Sequence, residues 1–210
     1  MPLPPPAARA PLHERRLTID GFEREDGLYD IEGRIVDTKT YAYDSDWHGR
    51  VEPGTPVHDM TIRLTVDDRL KIREVAAVTD RSPFPPCREA AVNYEALVGL
   101  IIGPGWTRAL RQRVGGTAGC THITELLSQV ATVAFQTMVK KREEERMKRR
   151  IDGDSDRPKQ RPLLIGTCHA FAIHGEVVKQ YWPEYYKPRG ADGSAVRPRP
   201  GGENEDTSAG

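Results

Sequence analysis

The sequence predicts an α+β domain, with an antiparallel β-sheet from the N-terminal half packed against helices from the C-terminal half. Three observations carry this reading. Apolar residues recur at every second position up to Val78, the period of a half-buried strand. Pro83, Pro85 and Pro86 then interrupt the pattern. Beyond them, apolar residues recur with the 3.6-residue period of a helix that buries one face.

Leu17 to Phe22 alternates, and so does Tyr29 to Ile35. Met60, Ile62, Leu64 and Val66 alternate with Thr61, Arg63 and Thr65, which predicts a strand with one face on the core. Asp67-Asp68-Arg69 reads as a turn, and Leu70 to Val78 as the hairpin partner. Cys87 opens a helix in which Ala91, Tyr94, Leu97, Val98 and Ile101 share a face, with Gly103-Pro104-Gly105 as its end. A short basic helix is expected from Trp106 to Val114, stopping at Gly115-Gly116. Thr121 is the expected N-cap of a longer helix with the apolar stripe Ile123, Leu126, Leu127, Val130, Ala134 and Met138. Past Val139 that helix becomes charged, with Glu144–Lys148 and Glu145–Arg149 at the favourable i,i+4 spacing. Leu163 to Phe171 reads as a last strand.

The organisation that follows is an unstructured Pro/Ala-rich arm over 1–12 and a single α+β domain over 13–188. A polar linker is expected at 152–162 and a disordered tail at 189–210, where almost nothing apolar is available to bury. The chain has 31 basic and 31 acidic residues, so nothing in its overall charge recruits nucleic acid or a membrane surface. No apolar run approaches the roughly 20 residues needed to span a bilayer. Met1-Pro2-Leu3-Pro4-Pro5-Pro6 lacks the basic and apolar regions of a signal peptide. Three cysteines cannot all pair with one another, so reduced thiols and a cytoplasmic location are expected.

Candidate chemistry gathers at element boundaries. In Gly115-Gly116-Thr117-Ala118-Gly119-Cys120-Thr121-His122 a glycine-rich loop delivers a thiol to a helix N-terminus, where the dipole and free N–H groups favour thiolate. Cys87 stands at the junction of sheet and helix. His58-Asp59 leads into the strand that holds Met60, and strand neighbours point to opposite faces, so one of the two ligates and not both. Together His58 or Asp59, Cys87, Cys120 and His122 form a soft donor set suited to zinc first and an iron–sulfur centre next. Cys168 and His169 are held in reserve. There is no CxxC pair, P-loop, GxGxxG, HExxH or GxSxG.

Pro83 to Cys87, Trp106-Thr107-Arg108, Gly115-Gly116 with Gly119 to His122, and Cys168-His169-Ala170 resemble the bacterial domain of unknown function family number 2889, over roughly residues 13–187. That resemblance implies no activity. The order of elements is also similar to the NifU/IscU-type iron–sulfur scaffold fold over about residues 28–140. The positions corresponding to its three cysteines are His58-Asp59, Cys87 and Cys120, with His-Asp-Met in place of Cys-Gly-Asp. Three readings follow. The first is a metal-binding protein of scaffold-like fold, holding zinc or an iron–sulfur centre. The second is an interaction module without chemistry, meeting an unidentified protein partner. The third is a thiol enzyme with Cys120 as nucleophile.

Overall fold

A computed structural model describes residues 3–151, 161–162 and 164–189. Internal contacts divide the chain into two compact units, Met1–Asp152 and Gly153–Gly210, with the boundary at the start of the expected polar linker.

In the first unit four strands form one antiparallel sheet in the order β1 (His13–Glu23), β2 (Tyr29–Lys39), β5 (Pro56–Val66), β6 (Ile72–Arg81). A separate two-stranded hairpin, β3 (Tyr43–Ser45) with β4 (Gly49–Val51), is inserted between β2 and β5. The alternation in sequence becomes a division of faces. Tyr29, Ile31, Ile35, Met60, Ile62, Leu64 and Val66 are buried on the side that meets the helices. The β5–β6 turn is tied by Asp67, whose carboxylate accepts the N–H groups of Arg69 and Lys71 and pairs with Arg73.

After the prolines the chain forms a 3₁₀ helix, Pro85–Leu97, rather than the expected α-helix. Its inward residues, Ala91, Tyr94 and Leu97, are spaced by three, the period at which 3₁₀ side chains eclipse. Val98 and Ile101, expected on the same face, are exposed at 46% and 59% because the helix has already ended. The chain returns along the start of β6, where Ile72 N–H bonds Leu100 O and Ile102 N–H bonds Leu70 O. α1 (Trp106–Val114) follows and buries Trp106, Leu110 and Val114.

α2 (Thr121–Thr137) buries Ile123, Leu126, Leu127, Val130 and Ala134, as the stripe predicts. It crosses the sheet where β2 and β1 carry glycines. A Cβ at Gly33 would stand 2.6 Å from Val130 Cγ2, and one at Gly21 would collide with Thr137 Oγ1. The N-cap is Cys120, with no side-chain cap bond, and Thr121 is the first helical residue. The charged continuation is α3 (Val139–Ile151).

In the second unit, 164–171 is a series of turns and bends, not the expected strand; Gly166 N–H bonds Phe171 O. α4 (Glu176–Tyr181) and a short 3₁₀ turn at Pro183–Tyr185 follow. Residues 3–12 are exposed and carry no helix or strand, although Thr40 bonds the carbonyls of Pro11 and Leu12. The expected tail from residue 190 and residues 152–160 of the linker lie outside the described residues.

Candidate metal centre

The sheet register builds one row of polar residues at the edge of the core. Arg15 of β1 stands opposite Asp37 of β2, and Asp37 stands opposite His58 of β5. Facing residues of adjacent antiparallel strands project from the same side. These three therefore share the helix-covered face with Ile35 and Met60. The N-terminus of α2 completes the group by laying the His122 ring over His58, with centroids 3.8 Å apart and planes tilted by 34°.

Asp37 is the centre of the arrangement, and its side chain is 1% exposed. Arg15 grips it with both arms of its guanidinium, Nε to Oδ1 at 2.7 Å and NH2 to Oδ2 at 2.8 Å. His58 Nδ1 lies 2.9 Å from Oδ2, and His13 Nε2 lies 3.3 Å from Oδ1. An ionised carboxylate offers about four lone-pair positions, of which three accept hydrogen bonds from Arg15 and His58 while His13 stands beside Oδ1. Burial works to raise the Asp37 pKa, but the Arg15 hydrogen bonds and charge, joined by His58, outweigh it and hold the group at about 2.

Burial pushes His58 below its ordinary value, and Arg15 and His13 push the same way against the pull of Asp37. The counter-ion of Asp37 is thus Arg15, and His58 is a neutral imidazole whose Nδ1–H donates to the carboxylate. Its Nε2 then keeps a free lone pair.

Cys120 flanks the other ring. Its Sγ is 3.7 Å from His122 Nδ1 and 3.7 Å from Met60 Sδ. Burial pushes the thiol up, but His122 and the N–H groups of Ile123 and His122 outweigh it and hold Cys120 below its ordinary value. The backbone here is pinned by Tyr94. Its hydroxyl accepts the Cys120 N–H at 2.9 Å and lies 2.8 Å from the Cys120 carbonyl oxygen and 2.9 Å from Thr124 Oγ1. Gly119 is required beside it, because a Cβ there would run into Val114 O.

Among the described residues, the His, Cys, Asp and Glu donors that converge are Asp37, His58 and His122, with ligand atoms all within 4.8 Å of one another. Of the residues singled out from sequence, His58 and His122 meet, and Cys120 touches His122. Asp59 does not join them. It lies on the opposite face of β5, where Arg34 pairs with both its oxygens at 2.8 and 2.6 Å. Cys87 is half-buried in the first turn of the 3₁₀ helix and is not among the converging donors. Cys168 and His169 sit in exposed turns of the second unit. Asp37 is the residue that sequence reasoning missed. Its signal was an acid on the apolar phase of β2, two positions after Ile35.

The family model described as Protein of unknown function (DUF2889) matches residues 13–136. No curated protein and no solved structure matches the chain, and the resemblance to the NifU/IscU-type scaffold is not shown.

Proposed function

We propose that this chain, which belongs to the DUF2889 family of proteins of unknown function, is a metal-binding protein whose centre is formed by Asp37, His58 and His122. The observation that carries the reading is the convergence of two imidazoles and one buried carboxylate within 4.8 Å. Two nitrogens and one oxygen suit zinc, whose catalytic sites commonly use three protein ligands and leave a fourth position open. Bonds of about 2.0–2.2 Å in a tetrahedron place such donors roughly 3.3–3.6 Å apart, so small side-chain movements close the group around an ion. An iron–sulfur centre is less well supported, because such clusters are held mainly by thiolates and Cys120 is the one thiol beside the group.

A cation held by His58 and Asp37 would replace the hydrogen bond between them, with the ring hydrogen of the neutral imidazole moving to Nε2 so that no net proton is lost. Binding weakens as pH falls, because protons then compete with the ion for the imidazoles. Arg15 holds the carboxylate in position, and Cys120 orients His122 from its outer side, the role that outer partners play around metal-bound imidazoles.

Zinc titration of the full chain, after chelation and under reducing conditions, tests this by calorimetry and by metal content. One equivalent of zinc is expected to bind. His58→Ala and His122→Ala should each abolish binding, Cys120→Ser should weaken it by about 10-fold as an outer partner, and Cys87→Ser should leave it unchanged. Wild-type protein that takes up no metal, or zinc binding insensitive to both histidine substitutions, overturns the reading.

A further inference from the structure

The sheet ends in a strand that is unusually open. β1 is 11 residues long, and Ile19 alone of its residues is partly buried. It pairs with β2 without a register break and stands at the end of the strand order, so its outer row of N–H and C=O groups has no strand beside it among the described residues. Natural sheets guard such edges with prolines, charged side chains, bulges or short strands, because a bare edge templates pairing with another chain. His13 to Glu23 contains no proline, no lysine and no bulge, and the charges it carries, Arg16 and Asp20 among them, are of both signs. It exposes Leu17 at 46% and Phe22 at 48%.

The chemistry of this edge is complementary to itself. Thr18 is the middle residue of β1. Two copies laid antiparallel about a two-fold axis at Thr18 overlap along the whole strand. Arg16 then faces Asp20 twice, on the side away from α2, and His13 faces Glu23 twice at the ends. On the helix side Leu17 faces Ile19 twice, which extends the apolar face from one copy to the next. A dyad moved one residue toward the N-terminus would instead set Glu14 against Asp20. Asp20 makes no ion pair among the described residues, and Arg16 reaches only the exposed Glu14, at 3.1 Å. Both are therefore available to a partner. A two-fold contact needs one surface that matches itself, which this strand is.

We infer that β1 is the interface of a symmetric homodimer, in which two four-stranded sheets join edge to edge into one of eight strands centred on Thr18. The inference does not depend on metal binding, since the charge pairs that test it, Arg16 with Asp20, lie on the face of β1 opposite to His13 and Arg15, which contact Asp37.

Sedimentation velocity of the full chain over a wide concentration range provides the test. A reversible dimer is expected. Arg16→Asp and Asp20→Arg each set like charges opposite one another at two places, and each should raise the dimer dissociation constant about 10-fold. The double exchange Arg16→Asp with Asp20→Arg restores opposite charges and should restore the dimer. Both residues are exposed, so circular dichroism of each variant should match the parent. As a second measurement, Thr18→Cys should form an intermolecular disulfide under mild oxidation, because facing residues of antiparallel strands are about 4.5–5.5 Å apart at Cα, within disulfide range. A monomer at every concentration overturns the inference. So does a dimer that ignores the single charge reversals or fails to crosslink at Thr18→Cys.

Discussion

Asp37 governs the candidate site because its charge is balanced from one side and used from the other. Its two oxygens carry the Arg15 fork and still meet His58 and His13. A carboxylate held at about 2 in the folded chain and near 3.8 when unfolded stabilises the fold fully above pH 4, and that contribution disappears as pH falls through 2. The gap corresponds to roughly 2 kcal/mol. His58 adds a second window. Its folded value lies below the ordinary 6.5, so acidification from about pH 6.5 charges it more readily in the unfolded chain and lowers stability. Chelator-treated protein should therefore lose stability to urea in two stages, below about pH 6.5 and again below about pH 4. Asp37→Asn should remove the lower stage and cost roughly 2 kcal/mol at neutral pH, since an amide cannot accept both arms of Arg15. An unchanged acid limb in Asp37→Asn would show that other carboxylates control it. At this scale the sequence was partly legible. The phase of Met60 and Ile62 places His58, not Asp59, on the core side. That Asp37 stands opposite His58 is a fact of strand register, which alternation within one strand does not contain.

At the scale of elements, the long strands and α2 were legible because each buries one regular face, and such a face prints its period on the sequence. The 3₁₀ helix was not. Ala91, Tyr94 and Leu97 fit a period of three as well as one of 3.6, and the residues that separate the two, Val98 and Ile101, are apolar yet exposed. The β3–β4 hairpin has three-residue strands, too short for alternation to register. Glycine reveals how closely the layers pack. At Gly33 the neighbours of an added Cβ are Val130 Cγ2 at 2.6 Å and Leu126 Cγ at 3.3 Å, both in the buried stripe of α2. Neither can move without disturbing the core, so Gly33→Ala is expected to destabilise the protein by about 1–3 kcal/mol, the usual cost of overpacking. Equilibrium denaturation checks this, and a variant as stable as its parent would mean that α2 does not lie against β2 at that point. The consequence reaches the site, because the same helix carries His122 at its first turn. Gly33→Ala should weaken zinc binding as well.

For the whole molecule, the candidate centre ties together parts of the chain that are far apart in sequence. Asp37 comes from β2, His58 from β5 and His122 from α2, and all belong to the unit Met1–Asp152. In the unfolded chain these donors are dispersed, so an ion that needs all three binds the folded form alone. Such binding stabilises by RT ln(1 + [L]/Kd), about 2.7 kcal/mol at a free concentration 100 times Kd. Zinc should accordingly raise the thermal midpoint in a concentration-dependent way, and chelation should reverse the rise. Magnesium prefers an octahedron of oxygens and holds its waters, so it should give no comparable shift. His122→Ala keeps the sheet and most of α2 but removes the helix's donor; its midpoint should no longer respond to zinc. A zinc-dependent rise that survives in His122→Ala would place the ion elsewhere in the chain. No rise in the wild type at saturating zinc would mean that Asp37, His58 and His122 are a packed polar cluster, held by Arg15, His13 and Cys120 without an ion.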